Sequence, residues 1–387
     1  MTPRFEIVAL GRARPTFRLL GYAGTAAAVL LAEAVTLVNG RSPATMAAIA
    51  LAGALTFLVL VAATVVWSGQ ERIVYYHHEI GVLAVAAAVA AVLGGPVLPY
   101  LDATAVGLGA FLALGRIGCL HAGCCHGRAR RGGVRYGRRH AEEGLAPAFV
   151  GVPLFPLQAV ESAFAALLAI TAAIVAVTSA PGTAAAMYVT AYAVARFGLE
   201  RLRGDAVRPY LGGLSQPQWL SLGCSAAVVT GGTTGLLPAH PAHAIALAVL
   251  TLAAAATVAR HRSDPASTDA GVEQSLVAAV RAALGTELSA PAPAPVAGLS
   301  LTGGTAHDGA TVVSHVTLSC RDGAVPDWLV RRVEDILAAV APGTPSIRRA
   351  PSGVVHVVVA GERGLPSRKQ RIAAARGWSP TRRALRP

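Results

Sequence analysis

Lysine is nearly absent from this 387-residue chain: Lys369 stands alone, and arginine supplies the rest of its 33 basic residues. Aromatic residues make up only 5% and charged residues only 14%, against 54% hydrophobic. So little charge excludes an ordinary soluble globular protein and places the chain among polytopic membrane proteins. The scarcity of aromatics means that its helices must pack closely through Ala, Val, Leu and Gly. Five unevenly placed cysteines exclude a disulfide framework. The net charge of +13, on a chain mostly immersed in lipid, points to anionic lipid headgroups and not to nucleic acid.

Long apolar runs are what the sequence does have. With about 20 residues needed to cross a bilayer, they predict an all-α polytopic protein of about 7–8 transmembrane helices. The predicted spans are 17–38, 44–67, 79–98, 101–120, 157–179, 183–201, 217–237 and 239–259. The opening "MTPRFEIVALGRARPTFR" imitates the charged start of a signal peptide, but the spans behind it favour an uncleaved first helix. Residues 1–262 therefore form the transmembrane domain.

After Arg262 the composition changes. Residues 263–300 read as a linker containing one helix, "VEQSLVAAVRAALGTEL", and the Pro-rich "SAPAPAPVAG". Residues 301–362 read as a small α+β extramembrane domain. In it the strands "TVVSHVTLSC" and "GVVHVVVAG" bracket the helical "PDWLVRRVEDILAAV". Residues 363–387 form a basic tail.

Arginine is distributed unevenly. Arg4, Arg12, Arg14 and Arg18 precede the first span, Arg128 to Arg139 crowd the loop after the fourth, and Arg201, Arg203 and Arg208 follow the sixth. The positive-inside rule puts these segments and both termini in the cytoplasm.

A charged side chain at mid-span costs about 2.5–3.5 kcal/mol on insertion scales, so such residues turn toward a protein interior. Asp102, Arg116, Glu161, Arg196, Glu200 and Arg203 are of this kind. Arg196, Glu200 and Arg203 follow one another at i, i+4 and i+7 and share a helix face. That spacing also suits a glutamate held between two arginines that snorkel to headgroups. Arg116 and Arg128 flank the glycine-punctuated stretch "GRIGCLHAGCCHGR". Guanidinium forks converging from separate spans suit a phosphodiester at lipid depth. The same stretch holds Cys119, His121, Cys124, Cys125 and His126, a soft ligand set for zinc or copper and the competing reading of this segment.

"GRIGCLHAGCCHGR" resembles the signature of the prolipoprotein diacylglyceryl transferases, Gly-Arg-Ile-Gly-Asn-Phe-x-Asn-x-Glu-x-x-Gly-Arg, without a gap. "PLFPLQAVES", "YAVARFGLERLRGD" and "GGLSQPQWLSL" are similar to further stretches of that family, in order. The chain departs from the pattern at Cys119, Ala122 and Cys124, and "YYHHEIG" only echoes the family's His-Gly-Gly motif.

The resemblance implies a multi-pass bacterial plasma-membrane enzyme without a cofactor. Such an enzyme moves the diacylglyceryl group of phosphatidylglycerol to the lipobox cysteine of a lipoprotein precursor. It implies Arg116, Arg128, Arg203, Glu161, Gln158 and Gly127 at the headgroup, with Gln218 at the last motif. Arg116 and Arg196 would stabilise the departing phosphate, Glu200 would orient Arg196, and His77 or His78 would take the thiol proton, with His121 and His126 as rivals. It also turns the active face away from the cytoplasm, against the arginine distribution. A member of the fold with a changed substrate, or without catalysis, is the alternative these departures leave open.

Overall fold

The computed structural model describes residues 3–9, 11–69, 74–205, 209–268, 271–285, 298–308, 311–321 and 323–362. Arg208 and the basic tail 363–387 lie outside them. The chain divides into two compact units, Met1–Gln274 and Ser275–Pro387.

The first unit is built on long helices: α1 (Thr16–Val38), α2 (Pro43–Ser68), α3 (Tyr75–Val92) and α4 (Val97–Ala122). A short α5 (Arg138–Glu142) leads to α6 (Leu157–Thr178), α7 (Thr183–Leu199), α8 (Gln216–Thr233) and α9 (Pro241–Ser263). Each predicted span overlaps one of the eight long helices, though the third, 79–98, runs past the end of α3 into the turn before α4. Six of them, α1, α2, α3, α4, α6 and α9, are long and apolar enough to cross a membrane. Of the other two, α7 runs for only 17 residues before tightening into a 3-10 turn at Glu200–Leu202, and α8 opens on the polar Gln216 and Gln218.

Local chemistry sets the helix ends. Ser42 caps α2 by accepting the Thr45 amide, with Pro43 in the first turn, and Gly69 closes the helix in the left-handed region. Asp102 does the same work at a distance. Its carboxylate accepts the Gly182 and Ala185 amides at 2.7 and 2.8 Å, capping the start of α7 from inside α4. The buried acid is thereby accounted for as a packing and capping residue.

Helix α4 is the centre of the bundle, with 15 of its 26 residues buried. Its seam with α1 depends on small residues: a Cβ on Gly107 would lie 2.8 Å from the Ala28 carbonyl oxygen. Helix α9 buries only Leu250 and Ala254. The exposed Leu55, Leu58, Val59 and Val66 of α2 face outward in the same way, as expected for helices solvated by lipid.

Short hairpins decorate the helix ends. Strands β1 (Glu6–Ala9) and β2 (Arg12–Pro15) pair antiparallel, as do β3 (Ala129–Arg135) with β4 (Pro153–Leu154) and β5 (Tyr210–Leu211) with β6 (Leu214–Ser215). The helix expected in the linker is α10 (Gly271–Ala283).

The second unit carries a four-stranded antiparallel sheet of β7 (Leu299–Asp308), β8 (Thr311–Cys320), β9 (Thr344–Arg349) and β10 (Val355–Glu362), in the order β7-β8-β10-β9. Helix α11 (Asp327–Val340) buries Leu329, Val330, Val333, Ile336 and Leu337 at helical spacing. Val312, Val316 and Leu318 of β8 and Val355, Val357 and Val359 of β10 are buried at every second position. The sequence singles out β8, α11 and β10. It misses the edge strands, because β7 is interrupted by Gly303 and Gly304 and β9 carries Pro345.

Candidate active site

The stretch 115–128 begins on the last turns of α4 and ends in a chain reversal. Gly123 terminates the helix in the left-handed region, its amide donating to the Cys119 carbonyl at 2.9 Å. Two residues later Cys125 has φ +56°, the one non-glycine residue with positive φ among the described residues. The chain then runs as a narrow ribbon between two others. The Gly127 amide donates to Phe155, the Phe155 amide to Arg128, the Arg128 amide to Leu202 and the Gly204 amide to His126, at 2.9–3.1 Å.

Glycine is required on both sides of this ribbon. A Cβ on Gly127 would sit 2.8 Å from the Phe155 carbonyl oxygen, and one on Gly204 would sit 2.7 Å from that of Gly127. Main-chain pairing thus joins the end of α4, the start of α6 and the end of α7 at one point.

The charged side chains meet beneath that junction. Arg116 and Arg196 are buried, at 7% and 4% exposure. Arg116 Nε lies 2.9 Å from Glu161 Oε2, and Arg196 Nε lies 3.9 Å from Glu161 Oε1. Arg196 is also 2.7 Å from Glu200. Arg203 is paired with Asp205 through two contacts of 2.8 and 3.0 Å, and Arg128 donates to the Arg203 carbonyl at 3.4 Å. The result is a chain of guanidinium and carboxylate groups, Arg116–Glu161–Arg196–Glu200, drawn from α4, α6, α7 and the turn that follows it, with Arg203 and Asp205 as a further pair. Buried ions on this scale persist only when paired and hydrogen-bonded.

Neutral groups hold this chain in place. The Tyr192 hydroxyl donates to Glu161 Oε1 at 2.9 Å. Its ring packs against Tyr76, whose hydroxyl bonds Ser221 at 2.7 Å. Gln158 donates to the Cys124 carbonyl at 2.6 Å and to the Tyr136 hydroxyl at 3.3 Å, tying α6 to the reversal. Gln218 caps its own helix by accepting the Ser215 amide at 3.0 Å.

Of the ionisable residues singled out in the sequence, Arg116, Arg128, Glu161, Arg196, Glu200 and Arg203 gather here with Gln158 and Gly127, whereas Asp102 lies apart at the start of α7. The histidines are dispersed. His77 contacts Gln216 at 3.0 Å, and His78 is buried with its ring 4.3 Å from that of Phe57 on α2. His121 Nδ1 meets the Arg4 carbonyl at 3.0 Å. His126 is bonded to the Gly127 carbonyl and packed on Phe149, and burial holds its imidazole below the ordinary range. On α3 it is Tyr76 that reaches the charged chain, by way of Tyr192.

The three cysteines of the reversal come together as well. The Sγ atoms of Cys119, Cys124 and Cys125 all lie within 4.8 Å of one another. Thiol hydrogen bonds from Cys119 and Cys124, helped by the Arg203 and Arg116 charges and opposed by burial, hold the Cys125 thiol well below its ordinary value.

Sequence reasoning missed Tyr192, which lies four residues before Arg196 and so on the same helix face. It also missed Glu79, which is buried on α3 with neither carboxylate oxygen hydrogen-bonded among the described residues.

Fold and site together define a multi-pass helical membrane protein whose core holds a chain of paired arginines and carboxylates just below one end of the bundle. Residues 66–232, which contain that whole chain, match the family described as prolipoprotein diacylglyceryl transferase. Among curated proteins, the chain is 36% identical over 127 residues to "Phosphatidylglycerol--prolipoprotein diacylglyceryl transferase 2" of Clostridium perfringens (strain 13 / Type A). That alignment takes in 33% of this chain and 48% of the relative, so the chain spans about half the length of the curated relative it matches.

Proposed function

We propose that the protein is a membrane transferase that moves the diacylglyceryl group of phosphatidylglycerol onto the cysteine thiol of a lipoprotein precursor. The observation that carries this reading is the Arg116–Glu161–Arg196–Glu200 chain, held on three helices inside the segment that matches the family. The reaction forms a thioether at the glyceryl carbon while a glycerol phosphate leaves. Its barrier falls if positive charge is already in place where phosphate charge develops, in a water-poor setting that need not reorganise.

Arg116 and Arg196 fill that role in this reading. Glu161 positions both guanidiniums, and Glu200 orients Arg196. Arg128, Arg203, Gln158 and Gly127 shape the headgroup end through the three-way backbone junction. His77 takes the thiol proton, being the less buried of the two α3 histidines. Helices α7 and α8 complete a bundle of eight spans in the bacterial plasma membrane. The site-bearing end faces outward, where exported precursors carrying a lipobox cysteine arrive.

The test is transfer from labelled phosphatidylglycerol to a lipobox peptide by the purified full-length protein. Wild-type protein transfers the label, and Arg116→Ala lowers the rate by roughly 10²-fold or more, the cost of removing one preorganised charge-stabilising donor. Absence of transfer by folded wild-type protein overturns the reading in favour of a fold turned to another substrate.

A further inference from the structure

We propose that Cys119, Cys124 and Cys125 form a three-thiolate site for a zinc-class divalent ion, whose fourth position takes the thiol to be alkylated. This rests on the transferase reading for its role, but the site itself rests on geometry alone. A tetrahedral centre with Zn–S bonds near 2.3 Å places its sulfurs about 3.8 Å apart. The three Sγ atoms already lie within 4.8 Å of one another, so modest side-chain rotation closes the set.

Adjacent cysteines do not ordinarily point at one centre. Here the positive φ of Cys125 turns the chain back on itself, which brings both Cys124 and Cys125 to the sulfur of Cys119 at the end of α4. A non-glycine residue is strained there, and a shared ligand is a use for that strain.

The neighbouring histidines are not part of the set. Among the described residues the ligand atoms that lie within 4.8 Å of one another are those of the three cysteines, and neither His121 nor His126 joins them. Three protein ligands and one vacant position are the arrangement of a catalytic zinc site, in contrast to a closed structural one. Cys124 is exposed, giving a path to the ion, and none of the three cysteines is in a disulfide. Three thiolates on a divalent ion leave one negative charge. Arg116 and Arg203 stand within electrostatic reach of Cys125 to offset it.

A metal-bound thiol is deprotonated outright near neutral pH. The incoming cysteine would bind the ion and release its S–H proton to solvent, in place of the direct transfer to His77 that an ion-free site requires. Its thiolate would then form the C–S bond to the glyceryl carbon. The C–O bond to phosphate breaks, its electron pair leaves with glycerol phosphate, and the arginine chain meets the new charge.

The experiment loads the reduced, purified full-length protein with Zn2+ or Co2+ and follows metal content, cobalt absorption and transfer together. One ion per chain is expected, with sulfur-to-cobalt charge-transfer bands and the intense visible bands of a tetrahedral centre. Cys119→Ser and Cys125→Ser each lose the ion, while Cys224→Ser, outside the cluster, and Arg116→Ala keep it. A lipobox peptide with cysteine shifts the visible bands, and the same peptide with serine does not.

The inference is overturned if folded wild-type protein binds no stoichiometric ion, if Cys125→Ser retains it, or if transfer proceeds unchanged in a strong chelator. That last outcome leaves the transferase reading standing. Stoichiometric thiolate-bound cobalt in a protein that transfers no label supports the site and overturns the transferase reading instead.

Discussion

Glu161 is the residue on which the charged chain turns. It lies 2.9 Å from Arg116, 3.9 Å from Arg196 and accepts the Tyr192 hydroxyl, all while buried. Removing it would leave two guanidiniums in the core without their shared counter-charge, and breaking a buried pair from one side costs about 3–5 kcal/mol. Glu161→Ala should therefore lower the thermal midpoint sharply in detergent. Glu161→Gln, which still offers Tyr192 an acceptor, should fall between it and wild type. Arg116→Ala combined with Glu161→Ala should be less damaging than the sum of the two, because the orphaned charge is gone. Additive losses would show that Arg116 and Glu161 act independently. These charged residues were legible in the sequence, since ionisable groups inside apolar runs declare themselves by their cost. Tyr192 and Tyr76 were not, because a tyrosine in an apolar helix carries no such penalty and reads as core until its neighbours are known.

Elements deliver those residues through their ends more than through their faces. The junction of 127–128, 155 and 202–204 is main-chain hydrogen bonding, and Gly127 and Gly204 are what let three segments approach so closely. A methyl on Gly204 would meet the Gly127 carbonyl oxygen at 2.7 Å, a backbone atom that cannot rotate away. Gly204→Ala should abolish transfer while leaving the circular dichroism of the helices intact. Gly223→Ala, on α8 with nothing within 4 Å of the added carbon, should keep activity and gain up to about 1 kcal/mol of helix stability. Equal activity in both variants would sink the junction as the device that aligns the arginines. At this scale the sequence was most readable where periodicity is long: all eight long helices, and the buried strands β8 and β10, stand out. The edge strands β7 and β9 did not, because glycine and proline are tolerated at edges and blur the pattern there. The sequence offered Cys119, His121, Cys124, Cys125 and His126 as a soft ligand set but not that the three thiols gather without the histidines, since adjacent cysteines do not announce the positive φ at Cys125.

For the whole molecule, the proposed eight-span reading returns the end of α9 to the side on which α1 begins and puts the arginine junction on that same side. The arginine count of the loops assigns this side to the cytoplasm, whereas a transferase acting on exported precursors needs it outside. In the proposed reading Arg128 and Arg203 serve the site, which leaves fewer loop arginines as an orientation signal than the bare sequence suggests. The expected outcome is that alkaline phosphatase fused to the C-terminus of the full chain is active in cells, while a fluorescent protein fused at the same place stays dark. The reverse result would put the junction on the cytoplasmic side, out of reach of a precursor emerging on the far face. The anionic lipid would then still find its arginines, but the acceptor would have to be a cytoplasmic thiol.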